Sequence, residues 1–335
     1  MPGGEVHVKL FWANDTRHVC HVGCLAVTDA HDRMIWEAGA VVIQRHYVGQ
    51  GKEIWNGDEN QAIAAALKSR WGRAIFECDA VVVNGEGTIH HGNGNHLLAF
   101  LGAAQRLGKR TLLINSLLED LNAFHDVIRN LDYLVVREPR SAAEARRLGR
   151  DACIAPDSIV AAAFLEQASA DFGGQVVIGD AHPSRADILE VLDRLKRDHP
   201  SWDLHHEDRK LDWPHAVANL KTASIYITGR HHGVYLAGLA GIPFVPLPSN
   251  SHKIEALIEW SGCDIPVCSS LDQVREAIRL APFKRDEFAR FHHFLTRNRP
   301  LPRLPPIDLP LRRERPSLQL RAYWAWATFK NHWLR

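Results

Sequence analysis

The chain has 335 residues, which at roughly 150 residues per domain allows about two domains with sizeable cores. Its 40 lysines and arginines nearly balance 39 acidic residues, for a formal charge of +1, and 46% of the residues are apolar. This ordinary globular composition excludes an acidic disordered chain and a general polyanion binder, so no nucleic-acid partner is expected.

In chain order, short β-branched apolar runs alternate with stretches of helical periodicity, the βα rhythm of a parallel sheet. In the first half the predicted strands are Val6–Phe11, Ala80–Val83, Thr111–Ile114 and Tyr133–Val136. The predicted helices there are Glu59–Ser69, Asn95–Leu107, Leu121–Asn130 and Ser141–Leu148. In the second half the strands are Val176–Ile178, Ile225–Thr228 and Phe244–Pro246. The helices between and after them are Arg185–Asp198, Trp213–Lys221, His232–Ala240, Lys253–Trp260 and Leu271–Leu280. The pattern predicts an α/β protein of two Rossmann-like domains, residues 1–168 and 174–284, with the polar stretch Glu166–Gly174 as linker.

Residues 285–335 differ in character. A helix at Arg285–Asn298 is followed by Arg299–Pro310, whose five prolines predict extended backbone. The tail Pro316–Arg335 interleaves Tyr323, Trp324, Trp326, Phe329 and Trp333 with Arg321, Lys330 and Arg335. Two readings fit this helical, Trp-rich basic tail. It lies in a membrane interface as a peripheral contact, or it is an arm packing on the N-terminal domain or on a sister subunit of a homo-oligomer.

The N-terminus lacks a basic region followed by an apolar stretch, and no apolar run approaches a membrane-spanning length. A cytoplasmic protein is therefore expected, at the inner membrane face if the tail binds lipid. Six cysteines without CxxC or zinc-like spacing are expected to be reduced thiols, most of them buried. Asn14-Asp15-Thr16 matches a glycosylation acceptor by chance. The 20 histidines recur as pairs, His90-His91, His205-His206, His231-His232 and His292-His293. Adjacent histidines do not provide the i, i+4 geometry of a catalytic zinc site, so no metal is expected.

In an open α/β sheet the ligand crevice lies at the carboxyl ends of strands, so residues just after each strand are the candidates. The strand at Ala80–Val83 runs into Asn84-Gly85-Glu86-Gly87, where Gly85 and Gly87 allow positive φ and close approach of a ligand to backbone N–H groups. A plain tight turn uses such glycines too, but an acid like Glu86 has no structural need of that setting. Arg137 ends the strand Tyr133–Val136 and could fork onto a carboxylate or phosphate, or pair with a neighbouring acid. Asp157 in Ala155-Pro156-Asp157-Ser158 reads as a helix cap. The most informative stretch is Thr228-Gly229-Arg230-His231-His232-Gly233, with Lys253 one strand later. Arg230 and His232 start a helix whose dipole favours an anion, and Lys253 can point at the same crevice. Arg, His and Lys converging there predict a small phosphorylated or carboxylated substrate. His231 is expected to be structural, because sequence neighbours do not readily both face one site.

At these residues the sequence resembles the polysaccharide pyruvyl transferase family. TGRHHGVYLAGLAGIPFV with Lys253 is similar to the family's strand, TGR-x-HG, helix, A-G-I-P, strand and lysine. Val135 to Ser141 resembles its Arg-Asp-x-x-Ser with Glu138 in place of the usual acid, and Ala155-Pro156-Asp157 matches its aspartate-bearing turn. Asn84-Gly85-Glu86-Gly87 resembles its glycine-rich loop, with Glu86 departing from the commoner all-glycine form. The resemblance implies a GT-B-like architecture, phosphoenolpyruvate as donor on the C-terminal side, and a sugar acceptor, free or lipid-linked, on the N-terminal side. The product would be a pyruvate ketal of a surface polysaccharide or glycan precursor, formed without a cofactor. In that setting His232 would be the general acid toward the donor's methylene, and Arg137, Arg230 and Lys253 would hold its carboxylate and phosphate. Gly85 and Gly87 would admit substrate, and Glu86 would orient the acceptor hydroxyl or take its proton.

Three rival readings remain at this stage. A nucleotide-sugar-dependent GT-B glycosyltransferase would use the same cations on a diphosphate. A metal-dependent hydrolase would draw on the histidines, and a scaffold or lectin-like module would follow if Glu86 and Glu138 mark a degenerate site.

Overall fold

The computed structural model describes residues 7–167, 172–204, 212–307, 320 and 323–324. The first half supplies strands β1 (Val8–Asp15), β2 (Ala40–Tyr47), β3 (Ala80–Glu86), β4 (Arg110–Ser116), β5 (Tyr133–Val136) and β6 (Cys153–Ile154). They form one parallel sheet in the order β2-β1-β3-β4-β5-β6. Its crossovers are helices α1 (Val22–Glu37), α2 (Glu59–Lys68), α3 (Gly72–Glu77), α4 (Asn95–Arg106), α5 (His125–Arg129) and α6 (Pro139–Arg147). The second half supplies β7 (Val176–Ala181), β8 (Asp203–Leu204), β9 (Ile225–Gly229) and β10 (Phe244–Pro246), a parallel sheet in the order β10-β9-β7-β8. Its helices are α7 (Ala186–Asp198), α8 (Trp213–Leu220), α9 (His231–Ala240), α10 (Lys253–Ser261), α11 (Leu271–Leu280) and α12 (Arg285–Arg297).

Strand alternation sorts the first half into two cores. Val81 and Val83 face the apolar sides of α2 to α6, while Leu10, Trp12, Val82 and Ile114 face α1. The second core runs without a break into the other sheet through Ile178, Ile227 and Tyr235. This shared apolar packing at α1, α8 and α9 holds the two sheets in one arrangement, so residues from both can build a common site.

The apolar runs buried on both faces are the elements the sequence places well, with β5, β10 and α11 at the predicted ends. The structure adds α1, α3, β2, β6 and β8. The buried face of α1 includes Thr28 and His31, which break its apolar stripe, and β2 is an edge strand with most residues partly or fully exposed. The predicted helix Leu121–Asn130 shrinks to α5, preceded by Phe124 at φ 61. Two of the six cysteines are buried, two intermediate and two exposed, so most are not buried as expected. Asn14 of the glycosylation-like triplet is buried, and its Nδ2 donates to Asn84 O at 2.8 Å.

The predicted helix at the start of the C-terminal segment is α12, which packs Phe291 and Leu295 against Gly238 of α9. Parts of the linker Glu166–Gly174, the pair His205-His206 and most of the tail lie outside the described residues. Trp324 is described: its Nε1 donates to Leu67 O at 3.0 Å and its ring lies 5.3 Å from that of Phe76. That contact joins the described tryptophan of the tail to the N-terminal half.

Candidate functional site

Each sheet has a point where strand order reverses, between β1 and β3 in the first and between β7 and β9 in the second. Crevices open at the carboxyl ends of such strands. Both open on one cavity of about 280 Å³, lined among others by Glu86 at the end of β3 and Gly87 after it, Arg230 after β9, and Arg137 after β5. His232 at the start of α9 and Lys253 at the start of α10 belong to the predicted group and line it too, and so does His231, which is not in that group. Of the predicted residues only Gly85 does not line it.

The centre of the cluster is Asp157, which is fully buried. Arg137 Nη1 donates to its Oδ2 at 2.5 Å, and His232 Nε2 and His231 Nε2 stand 3.4 and 3.7 Å from the same oxygen. Burial alone would raise the Asp157 carboxyl, but His232 and the Arg137 charge outweigh it and hold it well below the usual carboxylate range. Asp157 does cap the turn Ser158–Ala161 through its other oxygen, as expected, while also binding the site's cations. His231, expected to be structural, lines the cavity beside His232, because Asp157 lies over the helix end where consecutive residues both come near it. Burial, then the Arg137 charge, pushes the His231 imidazole well below its ordinary value, so it is a neutral ring.

Arg137 is 2% exposed, and its Nε and Nη2 have no hydrogen-bond partner among the described residues. Buried, unanswered guanidinium donors at a cavity wall call for an anion. Lys253 Nζ donates to Asn250 Oδ1 at 2.5 Å. Burial, with repulsion from Arg137 and Arg230, pulls the Lys253 ammonium down to about 7. Arg230 is forked onto Asp180 Oδ2 through Nε at 3.0 Å and Nη2 at 2.5 Å, leaving Nη1 for a ligand.

The glycine loop differs from expectation. Neither Gly85 nor Gly87 has positive φ; Glu86 between them does, at φ 42. β3 continues through Glu86, and Gly85 is needed because an added Cβ would stand 2.7 Å from Ser116 Cβ and closer to its hydroxyl. Gly87 leaves Arg137 Nη2 and Lys253 Nζ open, at 3.6 and 3.5 Å from where a Cβ would be. The Glu86 carboxylate lies 3.9 Å from His232 Nε2 and accepts from the Cys24 thiol and from Asn84 Nδ2.

Glu138, the departure from the usual acid, has a job in this fold. It caps α6 by accepting from Ser141 N and Arg140 N, and it takes His252 Nε2 at 3.1 Å. His252 Nδ1 is 3.0 Å from Glu119, so the residue before Lys253 is tied to two acids of the first half. Burial would lower the His252 imidazole, but the bonds to Glu138 and Glu119 raise it.

Sequence reasoning missed Asp180, His182, Ser249, Asn250, Thr16 and His21 of the loop before α1, and Gly23 and Cys24 of α1. The strand-end rule would have found Asp180 had β7 been extended to Ala181; the others depend on α1 or on loop paths. The spacing argument against metal also could not see that His21, Cys24 and His232 bring ligand-type atoms within 4.8 Å of one another, as do His90, His91 and Glu119. In the first group burial, then Glu86, pushes the Cys24 thiol well up, so it stays protonated and serves as a hydrogen-bond donor.

Two parallel α/β sheets facing each other across a cation-lined cleft define a GT-B-like protein. Solved structures with this fold include the UDP-GlcNAc 2-epimerase of Methanocaldococcus jannaschii with UDP-GlcNAc and UDP, at TM-score 0.53 and 13% identity over 87% of this chain and 100% of that one. The UDP-GlcNAc 2-epimerase of Neisseria meningitidis bound to UDP-GlcNAc matches at TM-score 0.52 and 11% identity, over 90% and 95%. The MnaA protein of S. aureus with UDP matches at TM-score 0.55 and 12% identity, over 90% and 92%. No curated protein matches the sequence. The profile of the polysaccharide pyruvyl transferase family matches residues 32–251, well over half of the chain, and the chain belongs to that family. Membership makes it an enzyme, a polysaccharide pyruvyl transferase. Among the described residues no helix is long and apolar enough to cross a membrane.

Proposed function

We propose that the enzyme transfers the pyruvyl group of phosphoenolpyruvate to two hydroxyls of a sugar, forming a ketal and releasing phosphate. The observation that supports this reading most is the buried Arg137, with two donors unanswered beside Lys253 and Arg230, in a cavity of about 280 Å³. A cavity of that volume accommodates a compact trianion.

His232 gives a proton to the donor's methylene carbon, and positive charge develops at the neighbouring carbon. A sugar hydroxyl adds there and loses its proton, with Glu86 3.9 Å from His232 as the receiving group. The bond from that carbon to the phosphate oxygen then breaks, phosphate leaves with its electron pair, and the second hydroxyl closes the ketal. Of the two hydroxyl protons, one balances the methyl group and one the phosphate. Arg137, Lys253 and Arg230 stabilise the departing charge. Donor binding belongs to residues 174–284 together with Arg137, and acceptor binding to residues 1–168.

Calorimetric titration with phosphoenolpyruvate, beside a panel of nucleotide sugars, tests the reading. Binding that Arg137→Ala abolishes, with the nucleotide sugars inert, is the expected result; saturable binding of a nucleotide sugar and none of phosphoenolpyruvate would overturn it. The tail is proposed as a peripheral membrane contact near a lipid-linked acceptor. Deleting Pro316–Arg335 should then abolish sedimentation with anionic liposomes, and unchanged sedimentation would sink that idea.

A further inference from the structure

A second cavity, of about 560 Å³, adjoins the first and shares Gly87, Thr88, His182 and Asn250 with it. Its other walls include Trp55, His90, Asn95 and Lys52 from the first half. A transfer between two substrates needs such an arrangement, with two sites that meet along one strip of backbone.

The chemistry of its walls is specific. His90 Nε2 lies 3.1 Å from Gly87 O, and a carbonyl only accepts, so Nε2 carries the proton. Nδ1 is then a bare acceptor, and it is buried without a partner among the described residues. Asn95, 3% exposed, has its Oδ1 buried and unpartnered as well. Two unanswered acceptors in one cavity require a ligand that brings donors, and neighbouring hydroxyls are such donors. Trp55, half-buried and 5.4 Å from the Phe124 ring, supplies an aromatic wall that suits the C–H face of a sugar ring. Formal charge is sparse. Burial lowers His90, and it takes His96 and His182 down to about 4, so these rings are neutral and Lys52 is the one cation among the described residues facing this cavity. A diphosphate would find no convergent cations there.

We propose that this cavity is the acceptor subsite and takes an uncharged hexose unit, with Trp55 as its wall and His90 Nδ1 and Asn95 Oδ1 receiving its hydroxyl protons. The inference rests on the pyruvyl-transfer reading. It assigns the acceptor to the start of α4 and the loops before α2 and α4, at the Gly87-Thr88 edge of the donor cavity.

The test uses the full chain and three probes, the methyl glycosides of glucose, galactose and mannose, titrated by saturation-transfer NMR. Phosphoenolpyruvate is titrated calorimetrically in the same samples. At least one glycoside should bind, and Asn95→Ala and Trp55→Ala should each weaken it about tenfold, the worth of one buried hydrogen bond or ring contact. Phosphoenolpyruvate affinity in these variants should change less than about twofold, which also certifies their fold, and Trp55→Phe should restore glycoside binding. Absence of binding by every glycoside, or binding that both alanine variants leave unchanged, would overturn the subsite while leaving the donor reading intact. Glycoside binding lost in the variants of a protein indifferent to phosphoenolpyruvate would support the subsite and defeat the donor reading instead.

Discussion

Gly23 in the first turn of α1 sits directly against His232, so the two residues should be energetically coupled. A Cβ added at Gly23 would stand 2.5 Å from His232 Cβ and nearer still to the ring, whereas ordinary contact begins at 3.4 Å. In Gly23→Ala the histidine or the helix must therefore shift by about 1 Å. Overpacking of this kind costs about 1–3 kcal/mol, and a 1 Å misplacement of a catalytic group costs about a hundredfold in rate. In a His232→Ala background the obstacle is gone, and alanine at a helical position should be neutral or stabilising by up to about 1 kcal/mol. Urea unfolding of wild type, both single variants and the double variant closes the cycle, with an expected coupling of about 1–4 kcal/mol. Equal losses from Gly23→Ala in both backgrounds would refute the contact and its role in aiming His232.

Because the Lys253 ammonium is held down to about 7, donor affinity should fall as pH rises through that value, by about tenfold per pH unit once the lysine is neutral. Calorimetry with Lys253→Arg should give a flat profile over the same range, and a flat wild-type profile would contradict the assignment. His31, His46 and His96 are neutral in the fold, each pushed down to about 4 by burial. The unfolded chain binds more protons below about pH 6.5, so stability should fall with acidification from there to about pH 4. The slope is about 1.4 kcal/mol per pH unit for each histidine, and identical urea midpoints at about pH 7.5 and about pH 5.5 would contradict it. Arg137→Ala strands the buried Asp157 and should cost about 3–5 kcal/mol by urea unfolding; a loss below about 1 kcal/mol would mean that Asp157 is solvated or repartnered.

Local sequence determined the elements that carry the donor cations. β9 and β10 are apolar runs buried on both faces, and Arg230, His232 and Lys253 follow strands at helix starts, where strand length and helix onset place them without knowledge of the rest of the chain. Arg137 is likewise legible as the residue after β5. The acid that binds these groups was decided by tertiary structure. Asp157 has the same cap signature whether or not it faces a site, and it meets Arg137 and His232 because the turn that it caps packs between α1 and α9. Glu86 was visible as an anomaly, but its positive φ within a strand that continues past Asn84 beside Ser116 of β4 was not. Gly23, Cys24 and His21 escaped notice because the buried face of α1 includes Thr28 and His31, polar residues that only the packed core accommodates. Periodicity reports which residues seek burial along one element, whereas a site at two switch points depends on how sheets built from distant segments are held face to face, and that follows from the shared core.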